Sequence, residues 1–181
     1  RHLIRRLTKK DFRIIVATRA PYLNGYLKPL GSPGQIDLEK VNLFDEERLK
    51  ILLKNSHVVI NLVGILYETR KQKFENIHSR FPELLSKLCK EYKIEKLVHL
   101  SALGIDQDTK SNYMQTKLKG EKNILNNFNN SIIFRPSIIF GPEDNFFNQF
   151  ASMSQLLPFL PLIGGGHTRF QPIYVGDVAE A

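Results

Sequence analysis

Tyr113 and Lys117, in the run Tyr113-Met-Gln-Thr-Lys117, have the types and spacing for proton chemistry. On a helix, positions i and i+4 share a face. An ammonium beside a phenol favours the phenolate, so the spacing predicts a Tyr113 pKa lowered from about 10 toward neutrality. A phenol tuned in that way passes a proton to or from a substrate oxygen. Ser101 ends the apolar run Lys96-Leu-Val-His-Leu-Ser101. Open α/β sheets place their ligands at the carboxyl ends of their strands, and a hydroxyl there is placed to hydrogen-bond the same oxygen. Tyr-x-x-x-Lys alone is a common surface pairing. The strand-end serine and the helix start give it weight.

The elements that must position these side chains alternate along the chain. Residues 13–18, 57–63, 96–101 and 131–135 are short, β-branched and apolar on both faces, as in strands covered on both sides. Between them lie helical patterns. Asp45 is placed to cap a helix carrying Leu49, Leu52 and Leu53. Ile77, Leu84, Leu85, Leu88 and Tyr92 share the face of a second helix, and Leu118, Leu125 and Phe128 that of a third. Such alternation implies βαβ units, a parallel sheet and right-handed crossovers with helices on both faces. Residues 20–40, with Pro21, Gly25, Pro29, Gly31, Pro33 and Gly34, read as a loop leading to a short strand near 40–42. Residues 141–172 are rich in Gly, Pro and Phe and take no clear assignment.

The 181 residues are 42% apolar and 24% charged, a globular composition that excludes a disordered chain. The net charge of +8 comes from scattered Lys and Arg without a nucleic-acid motif, so no nucleic-acid partner is expected. The single cysteine, Cys89, excludes an internal disulfide and reads as a buried thiol. The most apolar stretch, 156–163, carries Pro158 and Pro161 and is far short of the roughly 20 residues of a membrane helix. The apolar stretch 146–163 reads as packing in a second lobe, or as a greasy surface facing a substrate or a membrane. His57, His78, His99 and His167 lack metal-ligand spacing and read as ordinary histidines, and Gly164-Gly-Gly166 reads as a flexible loop. The opening Arg1-His-Leu-Ile-Arg-Arg-Leu and the closing Asp177-Val-Ala-Glu-Ala181 both read as truncation points within helices.

Several longer motifs surround these residues: Val58-Val-Ile-Asn-Leu-Val-Gly64, Glu95-Lys-Leu-Val-His-Leu-Ser101, Tyr113-Met-Gln-Thr-Lys-Leu-Lys-Gly-Glu-Lys122, Arg135-Pro-Ser-Ile-Ile-Phe-Gly-Pro-Glu-Asp144, Phe150-Ala-Ser-Met153 and Gln171-Pro-Ile-Tyr-Val-Gly-Asp-Val178. Together they resemble the extended or atypical short-chain dehydrogenase/reductase superfamily. Within it they are similar to the family of the nucleotide-binding accessory subunit of respiratory complex I and its bacterial epimerase/dehydratase-like homologues. The resemblance implies an α/β, Rossmann-like doubly wound parallel sheet. Its first strand and Gly-rich turn would precede Arg1. Residues 1–140 would form the partial dinucleotide domain and 141–181 the start of a small substrate lobe that returns toward it.

The resemblance also implies roles. Ser101, Tyr113 and Lys117 match the catalytic serine, tyrosine and lysine, with Lys117 also on the nicotinamide ribose. Asn61, Val63 and Gly64 match the strand end beside the cofactor, and Pro136 and Ser137 the turn that meets the nicotinamide. Asp177 matches a returning aspartate or caps its own helix. Asn42 and Leu43 stand where relatives place Asp-Leu against the adenine. At the end of the second strand, Ala17-Thr18-Arg19-Ala20 lacks the acid that holds NAD ribose hydroxyls. Arg19 offers a planar fork for a 2′-phosphate, so NADP is expected over NAD. Without a Gly-rich turn to cradle the pyrophosphate, the chain alone is expected to bind cofactor poorly. Two functions stay open: an NADP-dependent oxidoreductase or epimerase/dehydratase, and a subunit that holds its nucleotide at respiratory complex I. A quinone- or lipid-directed reductase or epimerase, or an accessory factor of ubiquinone metabolism, is the alternative. The expected location is cytoplasmic or at the periphery of the inner membrane, on the matrix side in a eukaryote.

Overall fold

A computed structural model describes residues 1–181 apart from 107–109, 145, 157–166 and 168. The expected alternation of elements is observed. Helix α1 (His2–Thr8) is followed by β1 (Ile14–Thr18), a 3-10 helix (Pro21–Leu30), β2 (Ile36–Lys40), α2 (Glu46–Leu53) and β3 (Val58–Asn61). A π-helical turn (Glu75–Arg80) runs into α3 (Phe81–Glu91), then β4 (Lys96–Leu100), α4 (Asn112–Asn127) and β5 (Ser131–Phe134). The chain continues through β6 (Ile139–Phe140), α5 (Phe147–Leu156), β7 (Ile173–Tyr174) and α6 (Val175–Glu180).

Two compact units divide these elements, one of residues 15–26 and 37–135, the other of 1–14, 27–36 and 136–181. In the larger unit β3, β4 and β5 form a parallel sheet in that order. Asn61 stands opposite His99, and His99 opposite Ile133. Parallel pairing requires crossovers, and α3 and α4 supply them. β1 pairs with β2. Ile14 N–H donates to the Gln35 carbonyl and Val41 N–H to that of Thr18, so this pair is parallel too.

Local chemistry explains the helix ends. The Asp45 carboxylate accepts the Arg48 N–H at 3.1 Å, capping α2 as expected, and Glu46 and Glu47 complement its first turn. Pro82 is the second residue of α3, directly after the π-helical turn. Leu49, Leu53, Phe81, Leu85, Leu88, Leu97, Ile124 and Phe128 form the core with Val41. Cys89 lies among them with no exposed surface, and burial pushes its thiol up to about 12.

Three local expectations are corrected. Residues 20–40 are not a loop: Pro21–Leu30 is a 3-10 helix, and the strand they lead to is Ile36–Lys40, earlier than 40–42. β3, β4 and β5 end sooner than their apolar runs, because pairing ends with the register and not with hydrophobicity, while β1 ends at Thr18 as expected. The third helix buries only part of the expected face: Phe128 joins the core as expected and Leu125 does not. Leu125 is 51% exposed, whereas Thr116, Lys117, Gly120, Glu121 and Ile124 are buried. Polar partners for Lys117 and Glu121 override the apolar periodicity that pointed to Leu118 and Leu125.

In the smaller unit, β6 and β7 pair in parallel. Thr8 Oγ1 donates to the Leu30 carbonyl at 2.9 Å, and Gln35 Nε2 to that of Thr8 at 2.9 Å, tying α1 to residues 30–35. The Asp144 carboxylate accepts the Phe147 N–H at 2.6 Å at the start of α5. Phe146 packs edge-on against Phe147, Phe150 and Phe170. The described part of 146–163 therefore packs around aromatic rings, while the rest of that stretch and Gly164–Gly166 lie outside the described residues. Asp177 sits in the first turn of α6 without a side-chain capping bond. Among the described residues, no helix is long and apolar enough to cross a membrane.

Candidate functional site

The carboxyl ends of β3 and β4 carry the site. β4 ends at Leu100, so Ser101 is the first residue past it, anchored by its own N–H to the Phe134 carbonyl of β5 at 2.7 Å. The Ser101 side chain is buried, and its Oγ has no hydrogen-bond partner among the described residues. Lys117 reaches across from α4. Its Nζ donates to the Leu100 carbonyl at 3.2 Å, beside Ser101. The same ammonium lies 3.5 Å from where a Cβ on Gly64 would stand, and 6.0 Å from the Tyr113 ring centroid. One buried cation thus joins Gly64 past β3, the end of β4 and the tyrosine of α4. Burial lowers the Lys117 pKa, partly offset by Glu121.

Asn61 orders the end of β3. Its Oδ1 accepts the Val63 N–H at 3.0 Å, which leaves Nδ2 to donate to His99 Nδ1 at 3.0 Å. His99 Nδ1 is then an acceptor and its proton sits on Nε2. His99 is 1% exposed and its Nε2 has no partner among the described residues. Burial, reinforced by Lys117, lowers its pKa to about 4.

Tyr113 packs edge-on against Phe74 and His78. Its pKa is raised, not lowered, and the cause is burial. This corrects the expectation that Lys117 favours the phenolate: the ammonium faces the Leu100 carbonyl and lies above the ring, while the ring itself is desolvated by its neighbours. At neutral pH Tyr113 is therefore a phenol.

Several residues that carry this geometry were outside the sequence-based site. His78 lies behind Tyr113. Glu121 continues the Tyr113–Lys117 stripe one turn further, and its carboxylate, with 2% of the side chain exposed, is gripped by both Nε and Nη2 of Arg135. The i, i+4, i+8 spacing of Tyr113, Lys117 and Glu121 was the available signal. His99 and His78 carried none, since both read as ordinary histidines. The expected adenine-side residues take separate positions. Arg19 is exposed just past β1, Asn42 is exposed with its carbonyl accepting the Asp45 N–H, and Leu43 packs against the core. Val63 also packs against the core. Pro136 and Ser137 belong to the smaller unit.

The donor set fits the sugar of a dinucleotide. An ammonium has three N–H donors, and Leu100 takes one. A buried serine hydroxyl and a side-chain-free Gly64 stand next to it. No Gly-x-Gly-x-x-Gly turn occurs in the sequence, so these residues do not supply the usual cradle for the phosphates.

The likeness to known proteins extends over the chain. It is 36% identical over its whole length to NADH dehydrogenase (ubiquinone) 1 alpha subcomplex subunit 9, mitochondrial, of Arabidopsis thaliana, and covers 46% of that protein. It is 33% identical over 99% of its length to the Mus musculus protein of the same name, covering 48% of it. The chain therefore spans about half the length of these relatives. The fold matches UDP-glucuronic acid 4-epimerase from Bacillus cereus, solved with UDP-glucuronic acid and NAD, at a TM-score of 0.78 and 20% identity, covering 98% of this chain and 66% of that one. The model of the NAD dependent epimerase/dehydratase family matches residues 1–181. With parallel strands, strand-end Ser101 and the Tyr113–Lys117 helix all in place, the chain belongs to the NAD dependent epimerase/dehydratase family.

Proposed function

We propose that this protein is a nucleotide-holding subunit of a respiratory assembly related to complex I, and that its nucleotide is NADP in preference to NAD. The observation that carries the reading is Lys117: a buried ammonium held on the Leu100 carbonyl at 3.2 Å, beside Gly64, with donors to spare for ribose hydroxyls. Tyr113, a donating phenol, and Ser101 Oγ would complete the hydrogen bonds around the nicotinamide end. A bound nicotinamide would supply hydride chemistry. Asn61, Val63 and Gly64 would line the strand-end side, and Asn42 and Leu43 the adenine side. Arg19, exposed past β1 where no acid follows, would pair with a 2′-phosphate. The curated relatives named for complex I support the respiratory partner, and with it a place at the periphery of the inner membrane.

A second reading is a working oxidoreductase. The buried Ser101 hydroxyl, without a partner among the described residues, favours it, since a substrate oxygen would satisfy that group and orient toward Tyr113. The test uses the full-length protein. Its nucleotide is released and identified, and NADPH absorbance is followed with a panel of carbonyls and quinones. Stoichiometric NADPH without consumption supports the holding role. Turnover abolished by Tyr113→Phe overturns it in favour of the enzyme. Arg19→Glu should move the preference from NADPH toward NADH, and an unchanged ratio removes Arg19 from the cofactor site.

A further inference from the structure

We propose that His78 is a positioning residue of this site: its imidazole locks the Tyr113 ring to the backbone of Gly64 and Ile65, so that phenol, ammonium and strand-end turn present one surface to the nicotinamide ribose. The proposal rests on the dinucleotide reading above. His78 is 1% exposed, yet every edge of its ring is used. The Ile65 N–H donates to Nε2 at 3.1 Å, which makes Nε2 the lone-pair nitrogen and places the proton on Nδ1. Nδ1 faces Thr116 Oγ1 at 3.4 Å, and that hydroxyl in turn donates to the Asn112 carbonyl at 2.8 Å. One face of the imidazole stacks on Phe74, with centroids 5.2 Å apart and planes at 19°. Tyr113 meets the ring edge-on at 5.1 Å and 88°. Nε2 also lies 3.9 Å from a Cβ position on Gly64, the glycine beside Lys117.

The backbone of His78 is equally constrained. A Cβ on Gly120 would overlap the His78 carbonyl oxygen, so α4 lies backbone to backbone on this turn. That contact fixes the height of the imidazole relative to Tyr113, Thr116 and Lys117, all on α4. His78 lies within the π-helical turn Glu75–Arg80, a form that occurs mostly as single turns and is frequent at functional sites. A purely packing role would be met by a phenyl ring. What a phenyl ring lacks is an acceptor for the part-buried Ile65 N–H, and a donor shielded from water and left without a partner is costly. Burial, then Lys117, holds the imidazole neutral with a pKa of about 4, so the acceptor is kept at physiological pH.

The experiment compares full-length wild type with His78→Phe, which keeps the ring stack and removes the acceptor, and His78→Gln, whose amide oxygen restores an acceptor. NADPH affinity is read by fluorescence titration, and folding by thermal melting. The phenylalanine variant should bind NADPH about ten-fold more weakly while remaining folded, and the glutamine variant should recover most of the loss. Wild-type affinity in a folded His78→Phe protein overturns the proposal. If wild type binds no dinucleotide, the functional reading fails, and His78 is then judged by long-range 15N NMR of labelled imidazoles. A protonated Nδ1 and a lone-pair Nε2, with Ile65 amide and Tyr113 ring resonances shifted by His78→Phe, support it. A protonated Nε2, or unshifted resonances, overturns it. If His78→Phe does not fold, the imidazole spectrum together with His78→Gln decides.

Discussion

Moving the full-length protein from about pH 7.5 to about pH 5.5 should cost it roughly 2–3 kcal/mol of folding free energy through two buried histidines. His78 and His99 both have folded pKa values of about 4 against 6.5 for the free side chain. Their folded values are depressed, so between about 4 and 6.5 the unfolded chain binds more protons than the native one. Stability is then fully present above 6.5 and is lost as the pH falls toward 4. At about pH 5.5 each histidine contributes roughly 1.3 kcal/mol of that loss, from the ratio of proton binding in the two states. The carboxyls held below their ordinary range, Glu143 and Asp144, start from 4.5 and 3.8 and act below this window. Denaturant titrations at the two pH values measure the difference, and His78→Gln and His99→Gln should each remove about half of it. A flat free energy across the window, or a slope that survives in the double variant, refutes the tautomer and burial argument for both rings.

Arg135→Ala should destabilise by about 2–3 kcal/mol, at the lower end for a broken buried pair because the Arg135 side chain is 48% exposed while that of Glu121 is 2%. Calorimetry should show a Tm lower by roughly 5–10 °C, partly restored by adding Glu121→Gln. Gly120→Ala should lose about 2 kcal/mol net despite a helix-propensity gain of about 1, because the added methyl meets the His78 carbonyl oxygen; an unchanged Tm would place α4 further from the π-helical turn. Lys117→Met should weaken dinucleotide binding about 10- to 100-fold in titration calorimetry, with Tm maintained because a desolvated cation is replaced by an apolar chain. Unchanged affinity would remove Lys117 from the ribose.

Much of the fold could be read from local rules. Apolar runs bounded by breakers gave the strands, Asp45 gave the start of α2, and alternation gave the parallel pairing. The errors have a common cause. In α4, Lys117 and Glu121 are buried because the Leu100 carbonyl and the Arg135 guanidinium, both distant in sequence, satisfy them. Periodicity sees only polarity, so it turned the helix toward Leu125. The same blindness hid His78 and His99. Their roles depend on which backbone and side-chain groups reach them, and Ile65 and Asn61 reach them only after the π-helical turn and β3 are formed. Ser101, Tyr113 and Lys117 were legible because their spacing is set by a single strand end and a single helix turn.

The Tyr113 environment decides what those three residues can do. Proton abstraction at neutral pH needs a phenolate, and the structure moves the phenol the other way: Phe74 and His78 desolvate it, and Lys117 is held on a carbonyl above its ring. A phenol in that state is a good hydrogen-bond donor and a poor base. Lys117 is likewise a donor, and Ser101 can donate or accept. Three such groups at one strand end are well suited to holding a sugar and a carbonyl oxygen. Alcohol oxidation demands one further condition, a change in charge near the ring large enough to reverse the desolvation, whereas carbonyl reduction would use the phenol as its acid. The binding role needs no such change, which is why retention of all three residues is compatible with a subunit that keeps its nucleotide and does not consume it.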